Sequence, residues 1–216
     1  MALYVQQLWR YPVKSMAGEA LERAEIGPEG IVGDRMVFVH HGGRLITSRT
    51  KPLLLSLRAT VGPDGEALVD TLPWTDEGVA TMVRFAAGED AELARNDDGG
   101  SFDVLPLLVA TDGAIREFGR DGRRLRPNIV LGGVEGLEER RWEGKRLRIG
   151  EVVVRLDSLR ERCIMTTFHP DTLDQDVDVL KDIRLRFGGK LALNAAVQHG
   201  GTIALGDSAE IVDGDD

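Results

Sequence analysis

Apolar residues along this chain fall in short alternating or continuous runs, not in long helical stripes. Arg35-Met36-Val37-Phe38-Val39-His40 reads as a strand, and His41-Gly42-Gly43 turns it back into Arg44-Leu45-Ile46-Thr47. Leu55 to Val61 alternates at period two, Pro63-Asp64-Gly65 forms a turn, and Ala67-Leu68-Val69 returns. Val79 to Phe85 is read as a further strand. Leu105 to Ala110 is a continuous apolar run, as expected of a strand buried on both faces. Thr111 or Asp112 suits the cap of a short helix ending at Gly119. Asn128 to Leu131 reads as a strand, Lys145 to Leu156 as a hairpin around Gly150, and Thr202 to Val212 as a closing hairpin around Gly206-Asp207. Only Val177 to Phe187, with Val179, Leu180, Ile183 and Phe187 apolar, has the spacing of an amphipathic helix. The pattern predicts a mainly β fold with a few helices, most simply two small barrel-like units, residues 1–95 and 96–216.

Composition narrows the function classes. The apolar and charged fractions, 42% and 29%, are those of an ordinary globular protein. No run is long and apolar enough for a membrane helix, and Met1 to Gln6 lacks the basic-then-apolar form of a signal peptide. A cytoplasmic location without membrane attachment is the resulting expectation. The single cysteine, Cys163, excludes an intramolecular disulfide and a multi-cysteine zinc site and fits a reducing compartment. A net charge of −9 argues against nucleic acid as partner.

Against this acidic background a few cations stand in suggestive places. Lys14 and Ser15 follow Tyr11-Pro12-Val13 in a turn, Arg35 opens a strand, and Arg126 precedes Pro127-Asn128. Together they could build an anion pocket borne on loops. Cys163 follows Arg160-Glu161-Arg162. Cations beside a thiol favour the thiolate, which is both a nucleophile and a soft metal ligand. A lone cysteine is also a common buried apolar residue, and His169 and His199 leave a cysteine–histidine hydrolase open.

Tyr11-Pro12-Val13-Lys14-Ser15, Gly33-Asp34-Arg35, Thr47-Ser48-Arg49, Arg126-Pro127-Asn128-Ile129-Val130 and Arg162-Cys163-Ile164-Met165-Thr166-Thr167 occur in the order found in MOSC (molybdenum cofactor sulfurase C-terminal) proteins. The chain resembles the branch with an N-terminal β-barrel domain, similar to the mitochondrial amidoxime reducing component, from about Leu3 to Val212. The resemblance implies a molybdenum–molybdopterin cofactor (Moco) with Cys163 as protein ligand to the metal. It also implies phosphate contacts from Lys14, Ser15 and Arg35, pterin contacts from Arg126 and Asn128, and Asp103 near the ring. Arg162 would tune the ligand, and Thr111 is a further carried-over position. Asp103 also suits a turn cap before Leu105, and Asn128 an ordinary turn. The sequence departs from the family's pattern at Leu173, at Asp178-Val179-Leu180 and at Asn194, positions that bear on the substrate pocket.

The activity implied is an oxidoreductase acting on small N-hydroxylated molecules. The chain has no dinucleotide fingerprint and no cysteine set for an iron–sulfur cluster. Electrons would come from a separate flavoprotein, ferredoxin-like or cytochrome b5-like protein. The alternative is a carrier of the cofactor, or of sulfur on Cys163, without turnover of its own.

Overall fold

The computed structural model describes residues 2–96 and 103–213. The first part of the chain forms strands β1 (Leu3–Arg10), β2 (Glu19–Leu21), β3 (Arg23–Gly27), β4 (Gly30–Ile31), β5 (Val37–His41), β6 (Arg44–Ile46), β7 (Ala59–Val61), β8 (Ala67–Val69) and β9 (Leu72–Pro73). Helix α1 (Glu77–Ala87) and β10 (Glu92–Arg95) follow. The second part forms β11 (Leu107–Thr111), α2 (Asp112–Phe118), β12 (Ile129–Gly132), β13 (Arg146–Ile149) and β14 (Val152–Glu161). It ends with α3 (Asp178–Phe187), β15 (Lys190–His199), β16 (Gly201–Ala204) and β17 (Ser208–Val212).

The largest sheet runs β12-β11-β15-β14-β13-β17-β1-β2, and an added pairing of β1 with β12 closes it into a barrel. Closure pairs both edges of the seven strands in the ring, edges at which open sheets aggregate, and leaves β2 outside it. β11 and β12 are parallel, so a crossover must join them, and α2 supplies it. Val5, Leu8, Val109, Leu131, Leu147, Val154 and Leu193 meet in the barrel core. β11 is buried at every position because Leu107 and Val109 join that core while Leu108 and Ala110 join a second cluster with Val130 and Ala192. Helices α2 and α3 pack through Phe118, Ile183 and Phe187. A separate core, including Val37, Leu54, Val69, Val79 and Val83, gathers α1 against β5, β7 and β8. The strand pairing cuts across the linear order: β1 pairs with β12 and β17, and β3 with β16. Among the described residues no helix is long and apolar enough to cross a membrane.

Most of the predicted elements form, and three are corrected. Val79 to Phe85 lies in helix α1: the Asp76 side chain accepts from the Gly78 N–H at 2.7 Å, and the chain leaves the helix at Gly88 with φ 121°. Only Ala59–Val61 of the run Leu55–Val61 is strand, because Pro52 opens a 3-10 turn that holds residues 52–56. Thr202 to Val212 does yield two strands, but they do not pair with each other: β16 adds to β3 and β17 to β13 and β1. The Thr111 cap and the Gly119 stop of α2 are as the sequence reads, with Gly119 left-handed at φ 65°.

Candidate functional site

Two loops far apart in sequence are zipped together to build one wall of the site. The Tyr11 carbonyl accepts from the Arg35 N–H at 2.8 Å, and the Lys14 N–H donates to the Val37 carbonyl at 2.8 Å. This fixes Lys14 and Ser15 beside Arg35. Ser15, Arg35 and Arg126 all sit at positive φ, 73°, 51° and 54°, a conformation that costs energy for residues other than glycine. Their shared location marks a place where the fold tolerates strain to aim side chains.

Behind this wall Asp34 is a hub. Its carboxylate accepts from the Tyr11 N–H at 2.6 Å and from Asn128 Nδ2 at 3.2 Å, and pairs with Arg35. Burial pushes its pKa up, while Arg35, Tyr11 and Asn128 pull it back. Asn128, 0% exposed, uses the rest of its amide to accept from the Leu108 N–H at 3.1 Å and to donate to the Trp9 carbonyl at 3.3 Å. It ties β11 to the end of β1.

The wall faces a cavity of about 760 Å³, including the part open to solvent. Lys14, Ser15, Arg35, Asp103, Arg126, Asn128, Arg162 and Cys163 all line it. Of its lining residues seven are Lys or Arg and two are Asp or Glu, in a chain whose net charge is −9. Such a hollow concentrates positive potential and suits an anionic ligand. Thr111 is the one predicted site residue that does not line it. Its fully buried hydroxyl accepts from the Ala114 N–H at 3.1 Å and meets Glu139 Oε2 at 3.3 Å, so it is occupied in capping α2.

Asp103 is held by three cations at once: Lys14 Nζ at 3.1 Å, Arg49 Nη2 at 2.7 Å and Arg160 Nη2 at 2.8 Å. Burial pushes its carboxyl up, but Lys14, Arg49 and Arg160 outweigh this and hold it below the usual carboxylate range. Lys14, 7% exposed, is pushed down by burial and pulled back by Asp103. Asn194 accepts from Arg160 Nη1 at 3.4 Å and donates to the Ser158 carbonyl at 3.3 Å, which steers Arg160 toward Asp103.

Arg126 is placed differently. Its guanidinium stacks 4.1 Å from the Tyr11 ring centre and has no hydrogen-bonding acceptor among the described residues. Burial pushes its pKa down, with Tyr11 opposing. Tyr11, whose hydroxyl donates to the Pro127 carbonyl at 3.2 Å, is pushed up to about 12 by burial despite Arg126 and Arg35. A guanidinium that is desolvated and unmatched favours an incoming anion.

Cys163 is half-buried, at the entry of a 3-10 turn, Ile164–Thr167. Its carbonyl accepts from the Thr166 N–H at 3.1 Å, which fixes the turn. Arg162 donates through Nη2 to the Leu125 carbonyl at 2.7 Å, while its Nε is buried without a partner among the described residues. Burial pushes Arg162 down to about 10, with Cys163 opposing. Arg49 faces the Cys163 side chain as well as Asp103. Arg49 stands in the sequence within Thr47-Ser48-Arg49 and Arg160 beside the cysteine, with nothing local to mark either as part of the cavity that both line; Arg124 and Asn194 also line it. Among the described residues no three His, Cys, Asp or Glu side chains cluster to hold a metal, so a metal here would need donors brought with it.

Residues 2–99 match the MOSC N-terminal beta barrel domain and residues 113–210 match the MOSC domain. The chain is 27% identical over 244 residues to mitochondrial amidoxime reducing component 2 of Macaca fascicularis, across 84% of this chain and 72% of that protein. It is 25% identical over 277 residues to mitochondrial amidoxime-reducing component 1 of Homo sapiens, across 94% and 81%. The crystal structure of the YUAD protein from Bacillus subtilis superposes with a TM-score of 0.50 at 13% identity, covering 98% of this chain and 96% of that one, which indicates a common fold.

Proposed function

The chain belongs to the MOSC family, in the form that carries the N-terminal β-barrel domain, and on that premise we propose that its cationic cavity holds a molybdenum–molybdopterin cofactor. The protein is then an oxidoreductase that reduces small N-hydroxylated molecules. The observation that carries this reading is the cavity itself: a lone cysteine opens into the same hollow as the unmatched Arg126 guanidinium and the Lys14, Ser15 and Arg35 donors. The donor set fits the group. Lys14, Ser15 and Arg35 supply charge-assisted donors for a phosphate. Arg126 and the orphaned Arg162 Nε offer donors to a polar ring system. Cys163 supplies the soft anionic ligand that a sulfur-rich metal site favours. Asn128 acts through its neighbours, since its amide is committed to Leu108, Trp9 and Asp34.

When bound, the group supplies redox chemistry at its metal. The chain's own residues bind and orient it, and Arg49, facing both Cys163 and Asp103, sets the charge next to the sulfur. A single cysteine cannot ligate an iron–sulfur cluster, so electrons come from a separate protein. The similarity to proteins named as amidoxime reducing components supports the substrate class. We also assign the chain two units, divided near residue 95, and a cytoplasmic location.

Protein produced with molybdate in the medium is expected to hold about one molybdenum per chain, with pterin fluorescence. Cys163→Ala is expected to abolish reduction of benzamidoxime by an artificial donor while circular dichroism and melting stay unchanged. Full activity in the Ala variant overturns the assignment of the ligand. Loaded protein that reduces no N-hydroxylated compound, yet restores a cofactor-free molybdoenzyme, replaces the enzyme with a carrier.

A further inference from the structure

A second cavity shares Arg124, Arg126 and Met165 with the first. Its remaining walls come from side chains that do not line the first cavity. Trp9 and Tyr11 contribute from the end of β1 and the loop after it, Leu55 and Arg58 from the segment around the first 3-10 turn, and Phe168 and Pro170 from the loop beyond Cys163.

The walls combine flat apolar surface with unneutralised positive charge. Arg123 is already satisfied: it grips Asp171 with two bonds, at 2.8 and 2.6 Å, and also meets Asp121. Arg58 is not: its guanidinium has no hydrogen bond or ion pair among the described residues, and only its backbone is engaged, its N–H donating to the Asp70 carboxylate at 3.1 Å and its carbonyl accepting from the Asp70 N–H at 2.9 Å. Arg126 contributes a guanidinium that stacks on the Tyr11 ring and has no hydrogen bond among the described residues, and Arg124 donates among them to the Thr166 carbonyl at 3.1 Å, keeping other donors. Trp9 gives its indole N–H to Gln7 Oε1 at 2.9 Å, so what it presents to a ligand is ring surface. The Tyr11 ring is fixed before any ligand arrives. Its hydroxyl is tied to the Pro127 carbonyl, and a Cβ at Gly18 would stand 2.5 Å from its Cδ1 and 2.2 Å from the Arg10 carbonyl. Only glycine permits that approach. A preset aromatic wall beside unmatched guanidinium groups loses little freedom on binding.

We propose that this second cavity binds a planar aromatic acid, its ring against Trp9, Leu55 and Phe168 and its acid group toward Arg58 and Arg126. Positive charge alone would accept any anion; the apolar walls are what select one that carries a ring. The assignment needs neither Cys163 nor Lys14 and takes Arg58 as its own cation, while Arg126 is shared with the proposed cofactor site.

The test is calorimetric titration of the purified full chain with 2-naphthoate, 2-naphthamide and inorganic phosphate, paralleled by tryptophan fluorescence. Naphthoate is expected to saturate one site per chain and to bind about tenfold more tightly than the uncharged amide, the difference expected for one charge-assisted contact. Phosphate is expected not to displace it. Arg58→Gln, at an exposed position that leaves folding intact, and Trp9→Leu are each expected to weaken naphthoate binding about fivefold or more, while Cys163→Ala leaves it unchanged. Equal binding of acid and amide overturns the proposal, as does unaltered binding in Arg58→Gln. Loss of naphthoate binding in Lys14→Ala together with its retention in Arg58→Gln puts the ligand in the first cavity and overturns it as well.

Discussion

Asp34 and Asp103 stand on either side of the same wall, and both hold arginine, but their surroundings differ in kind. Asp34 is 8% exposed and spends its oxygens on a backbone N–H, a buried amide and the neighbouring Arg35. Asp103 lines the cavity and spends its oxygens on the long side chains of Lys14, Arg49 and Arg160, which come from distant segments. The first organises backbone, so removing it leaves buried donors stranded. The second balances charge in a hollow that water can enter, so removing it changes what the hollow attracts. Fold and affinity are thus assigned to different carboxylates a short distance apart.

The comparison breaks most sharply at Asp34. Asp34→Ala is expected to cost about 3 kcal/mol or more in urea unfolding, because Arg35, the Tyr11 N–H and Asn128 lose their acceptor together. A loss no larger than that of Asp103→Ala would erase the distinction. Next comes Asn128→Ala, which severs the links to Leu108, Trp9 and Asp34 and is expected to cost about 2 kcal/mol by the same measurement.

Acid titration separates the two by sign. Asp103 has its folded pKa lowered, so its contribution is present above about pH 4, the ordinary carboxylate value, and is lost as the pH falls below it. Asp34 has its folded pKa raised, so the part of its contribution linked to protonation is complete below about pH 4 and is lost as the pH rises through the folded value, while the hydrogen bonds it accepts remain. The stability gap between wild type and Asp103→Asn should therefore close on acidification. The gap to Asp34→Asn should move the opposite way, and parallel curves would refute the sign assignment.

The smallest effect on stability is expected for Asp103→Asn at neutral pH, under about 1 kcal/mol, as for other partly solvated ion pairs. Its signature is elsewhere: cofactor-free protein should bind inorganic phosphate more tightly once Lys14, Arg49 and Arg160 lose their internal counter-ion. Weaker phosphate binding would mean that Asp103 orders those cations instead of competing for them.

What could be read from the chain was local. The apolar run before Thr111 and the Thr111 and Gly119 boundaries of α2 report their own neighbourhood, and they form as read. The same holds for Val179, Ile183 and Phe187, which share the buried face of α3. Helix α1 carries the stripe of Val79, Val83 and Ala86 and the cap signals of Asp76 and Gly88, but Phe85, 84% exposed, breaks the apolar face and makes the run resemble a strand. The partners of β16 and β17 lie near the start of the chain or in β13, and no pattern within Thr202–Val212 encodes that choice. The site follows the same division. Cys163, Lys14 and Arg35 were recognisable within short motifs, and the cavity gathers them. Arg49 and Arg160 converge on Asp103 only through long-range folding, so residue spacing held no trace of their meeting. Thr111, a position carried over from the resemblance alone, lies outside the cavity, its hydroxyl taken up by the start of α2.

Barrel closure has a bearing on the protein's birth. β1 pairs locally with β2 but completes the ring only with β12 and β17, the latter formed by residues 208–212. Until β12 and β17 have been made, β1 has no ring to close, and Lys14 and Arg35 have not met Arg126 and Cys163. Such delayed, long-distance pairing folds slowly and leaves unpaired edges exposed meanwhile. Whatever occupies the hollow therefore meets it only once strands from both parts of the chain are in place.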